Sequence, residues 1–153
     1  MPKRTSLAMH CTTHHLYSRV KRVYASRVFA LEAHVDRLIH SAQLLGFELP
    51  FDADMLCQAC NNVIKTNEIM DGYMRPVAWR GMGPMGVSAR GTPLQAAIAA
   101  RAWPSYFERS ESGSVRLTVA TWRRPNPSTA PVDAKASGMY MFGTLSKETA
   151  EDA

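Results

Sequence analysis

Four side chains of the kind that bind transition metals lie within six positions near the amino terminus: His10, Cys11, His14 and His15. Histidine nitrogen and thiolate sulfur are the usual ligands of zinc, and closely spaced pairs can reach one ion. Basic residues follow at positions 19, 21 and 22, and such a run can bind the phosphates of nucleic acid. The segment alone allows a zinc site, a basic arm, or neither.

Glycines at positions 81, 83 and 86 form a G-x-G-x-x-G pattern after a plausible strand. In a dinucleotide-binding fold a helix begins at this loop, and its N-terminal amides bind the pyrophosphate. Pro84 interrupts the pattern and Gly91 follows it closely, which argues against a helix there. The sequence therefore favours a flexible loop.

Cys57 and Cys60 form a single C-x-x-C pair inside a helical pattern. Structural zinc generally needs a second ligand pair, and a redox pair should begin a helix after a strand. We therefore expect two small, at least partly buried helix residues. His34 and His40 lie on another predicted helix without a neighbouring ligand cluster, so each is expected to be a packing or surface residue.

Arg37 and Lys135 are basic residues with suggestive surroundings. Arg37 borders the apolar face of a predicted helix, where a guanidinium can form a salt bridge or bind a phosphate. The chemistry alone favours the salt bridge. Lys135 follows a proline-rich segment among small residues, and a lysine in a confined site can form a Schiff base with a carbonyl cofactor. Most lone lysines have no such role.

The basic charge of the chain is concentrated at its amino terminus. The net charge is +5, with 18 basic and 13 acidic residues among 153. Residues 1–22 contain five basic residues and no acid, so nucleic-acid binding would depend wholly on that segment. Three cysteines make no disulfide framework, and no apolar run is long enough to span a membrane, which favours the cytoplasm.

Apolar periodicity predicts two helices in the first half of the chain. The first has apolar residues at helical spacing and Gly46 as its end: Leu31, Val35, Leu38, Ile39, Ala42 and Leu45. The second covers roughly 53–66 with Asp52 as its N-cap, and its inward residues are Leu56, Ala59, Val63 and Ile64.

Strands and turns are predicted in the second half. The stretch YMRPVAWRG is β-rich, although Pro76 indicates an edge or irregular strand. PLQAAIAARAW is compatible with a helix or a buried strand. Val115, Leu117 and Val119 alternate with polar or small residues and predict another strand. RRPNPSTAP reads as a linker, and a last helix is expected from Gly138 to the end. The order indicates an α/β or α+β domain.

Four stretches together resemble the branched-chain amino-acid aminotransferases of the class IV pyridoxal-phosphate fold. They are VFALEAHVDRLIHSAQLLGFELPF, DGYMRPVAWRG, MGVSARGTPLQAAIAARAWPSYF and TVATWRRPNPSTAPVDAKASGMYMFGTLSKETAEDA. They cover nearly everything from Arg22 to Ala153 in the order and spacing of the family. WRRPNPSTAPVDAKASGMY is the most specific part. The resemblance also makes PLQAAIAARAW a strand.

The resemblance implies a cofactor site. Lys135 matches the lysine that holds pyridoxal 5'-phosphate as a Schiff base and later moves the proton between the substrate Cα and the cofactor. Arg37 matches the arginine that binds the cofactor phosphate. Tyr140 matches the tyrosine that hydrogen-bonds the phenolic oxygen of the cofactor.

The resemblance also implies a substrate site. Tyr73 and Arg75 match residues on the substrate side, where an arginine can receive the second carboxylate of glutamate. Trp122 matches a wall of the apolar pocket that accepts leucine, isoleucine or valine side chains. The implied reaction exchanges an amino group between these amino acids and 2-oxoglutarate.

The implied organisation is the small N-terminal domain of a fold-type IV aminotransferase at 22–123, an interdomain linker at 124–134, and the start of the PLP-binding large domain at 135–153. The family continues for well over a hundred residues, and that part supplies the carboxylate that keeps the pyridine nitrogen protonated. We therefore expect this chain to be a truncated and inactive fragment. The parent enzyme is expected to be a cytoplasmic homodimer that binds neither nucleic acid nor membranes.

The opening segment departs from the family, which carries a motif like HVxSHALHYASSVFEGE at this point. A shifted reading frame joins the third base of each codon to the first two bases of the next. Over Met9 through Lys21, the first two codons of this frame must encode alanine and leucine. Codon degeneracy allows the following codons of this frame to encode the rest of ALHYASSVFEGE. Arg22 would then continue the family sequence in the original frame. We therefore expect residues 1–21 to be a non-native or disordered, out-of-frame segment. Its zinc-like cluster would then be a by-product, and no metal site is expected.

Alternatives of three kinds remain open. One is a non-catalytic remnant that binds no ligand, for which titration with pyridoxal phosphate should show no Schiff-base absorbance. Two belong to the same fold, a D-amino-acid aminotransferase and an aminodeoxychorismate lyase, although GYMRP and WRRPNPSTAP favour the branched-chain enzyme. The other is a small basic nucleic-acid-binding protein that uses residues 1–22, for which binding should be sensitive to salt.

Overall fold

The computed structural model describes residues 15–17, 21–81, 88–103 and 117–152. Within these ranges strands and α-helices follow one another as β1 (His15–Tyr17), β2 (Lys21–Tyr24), β3 (Arg27–Val28), α1 (Leu31–Leu44), α2 (Ala53–Thr66), β4 (Gly72–Arg80), β5 (Leu94–Ala102) and α3 (Met141–Glu151). A 3-10 turn, Ser137–Tyr140, immediately precedes α3. The mixture of helices with an antiparallel sheet confirms the predicted α/β (α+β) class. In the described part of the chain no helix is long and apolar enough to cross a membrane.

Both helices of the first half form where their apolar periodicity places them. In α1, Val35, Leu38 and Ala42 are buried against the sheet, and the chain leaves the helix through Gly46 at a φ of 72°. The Asp52 side chain accepts a hydrogen bond of 2.7 Å from the backbone N–H of Met55, which caps α2 as predicted. The inward residues of α2 are buried or half-buried, so the predicted face is confirmed.

The sheet is organised around β4. Along one edge, β5 runs antiparallel to all nine residues of β4, from Gly72 opposite Ala102 to Arg80 opposite Leu94. Along the other edge, β2 pairs with residues 72–74 and β1 pairs with residues 77–79. A short hairpin adds β3 outside β2. The stretch PLQAAIAARAW, which was compatible with a helix or a strand, therefore contains the strand β5, as the family resemblance implied.

The prediction that Pro76 marks an edge or irregular strand is wrong. Pro76 is fully buried in the middle of β4, opposite Ile98. On the other edge, β4 pairs with β2 at residues 72–74 and with β1 at residues 77–79, so β4 is an inner strand.

Alternate residues of β4 point to opposite faces of the sheet. Gly72, Met74, Pro76 and Ala78 are buried on the face that packs against α1 and α2. Gly72 is required at its position, because a Cβ there would collide with the carbonyl oxygen of Arg101 on β5. The residues between them lie on the opposite face, which α1 and α2 leave uncovered in the described part of the chain.

The strand predicted from Val115, Leu117 and Val119 is not found in its described part. Val115 lies outside the described residues, and 117–120 belong to no strand. Leu117 and Val119 are 90% and 95% exposed. The prediction fails because alternation of apolar with polar or small residues shows only that a segment could form a strand. A strand also needs a neighbouring strand to pair with, and alternation does not show one. The last helix is confirmed in type and position, with α3 starting three residues after Gly138.

Candidate functional site

Lys135 is attached to α1 through a single buried hydroxyl. The backbone N–H of Lys135 donates a hydrogen bond of 3.1 Å to Oγ of Ser41. The same hydroxyl donates a hydrogen bond of 2.8 Å to the backbone carbonyl of Arg37, one turn earlier on α1. Ser41 is 0% exposed. Two of the residues singled out by the sequence, far apart in the chain, are thus joined through one side chain.

The Lys135 ammonium lies over the ring of Tyr140. Its Nζ is 3.7 Å from the ring centroid, a distance at which a cation is attracted to an aromatic face. The main chain of Lys135 is enclosed, since Ala134 and Ala136 on either side are buried. The side chains of Arg37 and Tyr140 are exposed.

Tyr73 and Arg75 line a cavity on the uncovered face of the sheet. Its volume is about 310 Å³, at the lower end of the range typical of small-molecule sites. Arg101 and Trp103 line the same cavity. The rings of Tyr73 and Trp103 meet edge to face, with centroids 6.1 Å apart. The structure therefore brings together the two residues assigned to the substrate side and adds two others.

Trp122 does not line this cavity and is 56% exposed. It follows the extended segment that contains Leu117 and Val119 rather than a paired strand. Its role as the wall of an apolar pocket therefore stays a prediction. Two residues later, the Arg124 guanidinium donates a hydrogen bond of 2.8 Å to the carbonyl of Val132.

Ser41, Arg101 and Trp103 were not identified from the sequence. Ser41 stands on the predicted inward face of α1, and a serine among apolar core residues is a signal that a buried hydrogen bond is required. Arg101 and Trp103 gave no such signal. Their proximity to Tyr73 depends on the β4–β5 register, which periodicity does not determine.

The C-x-x-C pair lies in α2, as predicted, with Cys60 buried and Cys57 half-buried. Burial raises the pKa of both thiols. Lys21 is 0% exposed, and its Nζ has no hydrogen-bond partner among the described residues. Burial lowers the pKa of Lys21 below its usual value of 10.5, against the attraction of the nearby Cys60 and Cys57. These groups form a core contact rather than a reactive thiol pair.

Among the residues that the structure describes, no group of three His, Cys, Asp or Glu side chains could hold a metal ion. His10, Cys11 and His14 lie outside the described residues. His34 is half-buried and His40 is exposed, as expected of packing and surface residues.

The glycine-rich loop begins as β4 ends. The N–H of Gly81 donates a hydrogen bond of 2.6 Å to the carbonyl of Pro93, which closes the connection to β5. Gly83 and Gly86 lie outside the described residues, so the predicted flexible loop stays a prediction.

Comparison with known proteins gives a consistent set of relatives. The chain is 34% identical over 149 residues to the probable branched-chain-amino-acid aminotransferase of Rickettsia felis, which covers 94% of this chain and 50% of that protein. The branched-chain aminotransferase of Thermoproteus uzoniensis with norvaline superposes with a TM-score of 0.81 at 30% identity, over 92% of this chain and 48% of that one. The T.th. branched-chain amino acid aminotransferase with pyridoxamine 5'-phosphate gives a TM-score of 0.80 at 30% identity, over 92% of this chain and 48% of that one.

The chain spans about half the length of these relatives. Its fold is that of the N-terminal portion of fold-type IV aminotransferases, as the resemblance implied. The family model described as amino-transferase class IV matches residues 20–153, which is most of the chain. The chain therefore belongs to the class IV aminotransferase family.

Proposed function

We propose that this chain contributes the lysine, the phosphate arginine and the substrate-side residues of a pyridoxal-phosphate-dependent branched-chain amino-acid aminotransferase. The reaction exchanges an amino group between Leu, Ile or Val and 2-oxoglutarate. The observation that carries the proposal is the attachment of Lys135 to the helix of Arg37 through Ser41. The names of the relatives support the branched-chain class.

The donor set suits the proposed cofactor. Pyridoxal phosphate offers an aldehyde, a phosphate and a phenolic oxygen. When bound, it supplies a ring that accepts the electron pair released at the substrate Cα. The amine of Lys135 suits the aldehyde, the guanidinium of Arg37 suits the phosphate, and the phenol of Tyr140 suits the phenolic oxygen. The pyridoxamine 5'-phosphate in the T.th. relative supports this cofactor class.

Each residue then has a distinct task. Lys135 would hold the cofactor through its amine, with loss of water, and would move the proton of the substrate Cα once the substrate amine has replaced it. The backbone bond to Ser41 limits where that amine can travel. Arg37 anchors the phosphate as a planar fork. Tyr140 keeps the amine over its ring.

The substrate side must bind both dicarboxylic substrates and substrates with apolar branched side chains. Arg75 offers a guanidinium to the side-chain carboxylate of glutamate or 2-oxoglutarate, and Tyr73 stands beside it. Trp122 is proposed as a wall for the apolar side chains of the branched-chain substrates. We place the enzyme in the cytoplasm as a homodimer. Residues 22–123, 124–134 and 135–153 are proposed as small domain, linker and start of the large domain.

Pyridoxal phosphate titration tests the proposal directly. The chain is incubated with the cofactor, reduced with borohydride and digested, and the modified lysines are identified by mass spectrometry. We expect modification concentrated at Lys135, with the matching absorbance change lost in Lys135→Ala. Lys147→Ala is the control, because Lys147 lies on the same segment but is exposed and paired with Glu151. Equal modification of the two lysines would refute the cofactor site.

Substrate class is tested with the longest open reading frame of the locus, so that flanking sequence is included. Transamination of Leu, Ile and Val with 2-oxoglutarate supports the branched-chain enzyme. Turnover of D-alanine or of aminodeoxychorismate in its place would assign one of the two alternative activities. Sequencing of the same DNA also tests the proposal that residues 1–21 are read out of frame.

A further inference from the structure

Three strands bring cationic residues into one row on the uncovered face of the sheet. Arg22 on β2 is opposite Tyr73 on β4, and Tyr73 is opposite Arg101 on β5. Directly opposed residues of an antiparallel pair share a face, so all three lie on the side away from the helices. Arg75 lies two positions along β4 on the same face. A single tyrosine is thus surrounded by three guanidinium groups.

Aromatic rings position these groups. The Arg101 guanidinium carbon is 3.7 Å from the ring centroid of Trp103, and that of Arg22 is 4.8 Å from the ring centroid of Tyr73. The two rings contact each other edge to face. A guanidinium that stacks on an aromatic face can still direct the N–H groups at its own edge toward a ligand. Stacking therefore orders Arg101 without consuming its donors.

The cavity beside this row is basic. Arg75 and Arg101 are both part of its lining, and none of its described lining residues is acidic. An anion in the cavity would be attracted by the positive charges of both arginines. An Arg–carboxylate contact can be bidentate, with two parallel hydrogen bonds. Two arginines can therefore recognise two carboxylates, or share both oxygens of one.

We infer that Arg101 is a second carboxylate-binding residue of the substrate site and sets a preference for dicarboxylic acids over monocarboxylic acids. The assignment deepens the proposed function, on which it rests for the identity of the acids as 2-oxoglutarate and glutamate. Arg101 adds affinity for the dicarboxylic partner of the reaction. It adds nothing for a branched-chain acid, whose side chain is apolar.

Calorimetric titration of the full chain with two unreactive acids tests the inference. Glutarate is a five-carbon dianion without a carbonyl that could react with lysine, and 4-methylpentanoate is a monoanion with a branched side chain. The wild-type chain should bind glutarate more tightly. Arg101→Gln should weaken the binding of glutarate about tenfold or more, because a charge-assisted bidentate contact is lost. Binding of 4-methylpentanoate should change by less than about twofold.

Two further variants control for charge and folding. Arg90→Gln removes the same charge from an exposed residue that does not line the cavity, and it should leave both affinities unchanged. Arg101→Lys keeps the charge but loses the planar fork, so it should restore only part of the preference. Circular dichroism of each variant shows whether the sheet is intact, since Arg101 lies on β5.

The inference is overturned if wild-type protein shows no preference for glutarate, or if folded Arg101→Gln keeps the wild-type ratio of the two affinities. Failure of the proposed function is seen separately. If Lys135 is not modified by pyridoxal phosphate while the glutarate preference depends on Arg101, the cofactor proposal falls and the dicarboxylate site stands.

Discussion

Replacement of Ser41 by alanine tests whether the hydroxyl that links α1 to Lys135 stabilises the fold. The change removes the acceptor of the Lys135 N–H, which is enclosed between two buried residues. The Arg37 carbonyl keeps its ordinary helical hydrogen bond, so one buried donor is left without a partner. An unsatisfied buried donor costs about 1–3 kcal/mol. We expect the free energy of unfolding to fall by about that amount.

Ser146→Ala is a matched control. Ser146 Oγ donates a hydrogen bond of 2.7 Å to the carbonyl of Phe142, the same bond to the residue four positions earlier that Ser41 makes within α1. In the described part of the chain, Ser146 accepts no hydrogen bond from a distant backbone N–H. Both substitutions gain the same small helix propensity of alanine, so this contribution cancels in the comparison. We expect the control to change stability by less than about 0.5 kcal/mol.

Urea unfolding of both variants gives the two free energies, and amide hydrogen exchange locates the effect. In Ser41→Ala the Lys135 amide should lose protection, while amides in the middle of β4 change only with global stability. Equal losses of stability in the two variants would show that the contact with Lys135 contributes nothing measurable. Unchanged protection of the Lys135 amide would refute the hydrogen bond itself.

Four other substitutions have defined outcomes. Burial lowers the pKa of Lys21, so the folded state binds fewer protons than the unfolded state. The free energy of unfolding should therefore rise as pH increases toward 10.5, above which Lys21 is neutral in both states. Lys21→Met should be more stable at neutral pH and should lack that Lys21-dependent rise, measured by urea unfolding across pH. Gly72→Ala should destabilise the fold by more than about 1 kcal/mol, because the new Cβ meets a backbone oxygen. Gly143→Ala on α3 has open space around the new Cβ and should stabilise the fold by about 0.5–1 kcal/mol. Thermal melts of the two variants measure both effects. Asp52→Ala should cost about 1 kcal/mol in the same melts by removing the α2 cap.

The helices were predictable because their information is local. The apolar face of α1 repeats at helical spacing, and the Asp52 cap lies immediately before the segment it starts. Each of these signals lies within a few residues of the structure it produces. Nothing in the rest of the chain had to be known, and the structure agrees to the residue for the start of both helices.

The sheet was less predictable because its contacts connect distant segments. Pro76 argued for an edge strand although β4 pairs with strands on both edges, and Leu117 was predicted in a strand although its described backbone belongs to none. The same limit applies to the site. Lys135 and Tyr73 came from a family resemblance, whereas Arg101 required the register of two strands and Ser41 required the path of the chain after the linker.

The central position of β4 has a consequence for the order in which the chain folds. The contact of α1 with α2 and the β2–β3 hairpin involve near neighbours, so they can form early. The pairings of β4 with β1 and β2, in contrast, join segments that are separated by both helices, so each closes a long loop. The sheet is therefore expected to form late and in one cooperative step. Folding should be limited by the arrival of β4, and substitutions in β4 should slow refolding more than substitutions of equal cost in α2.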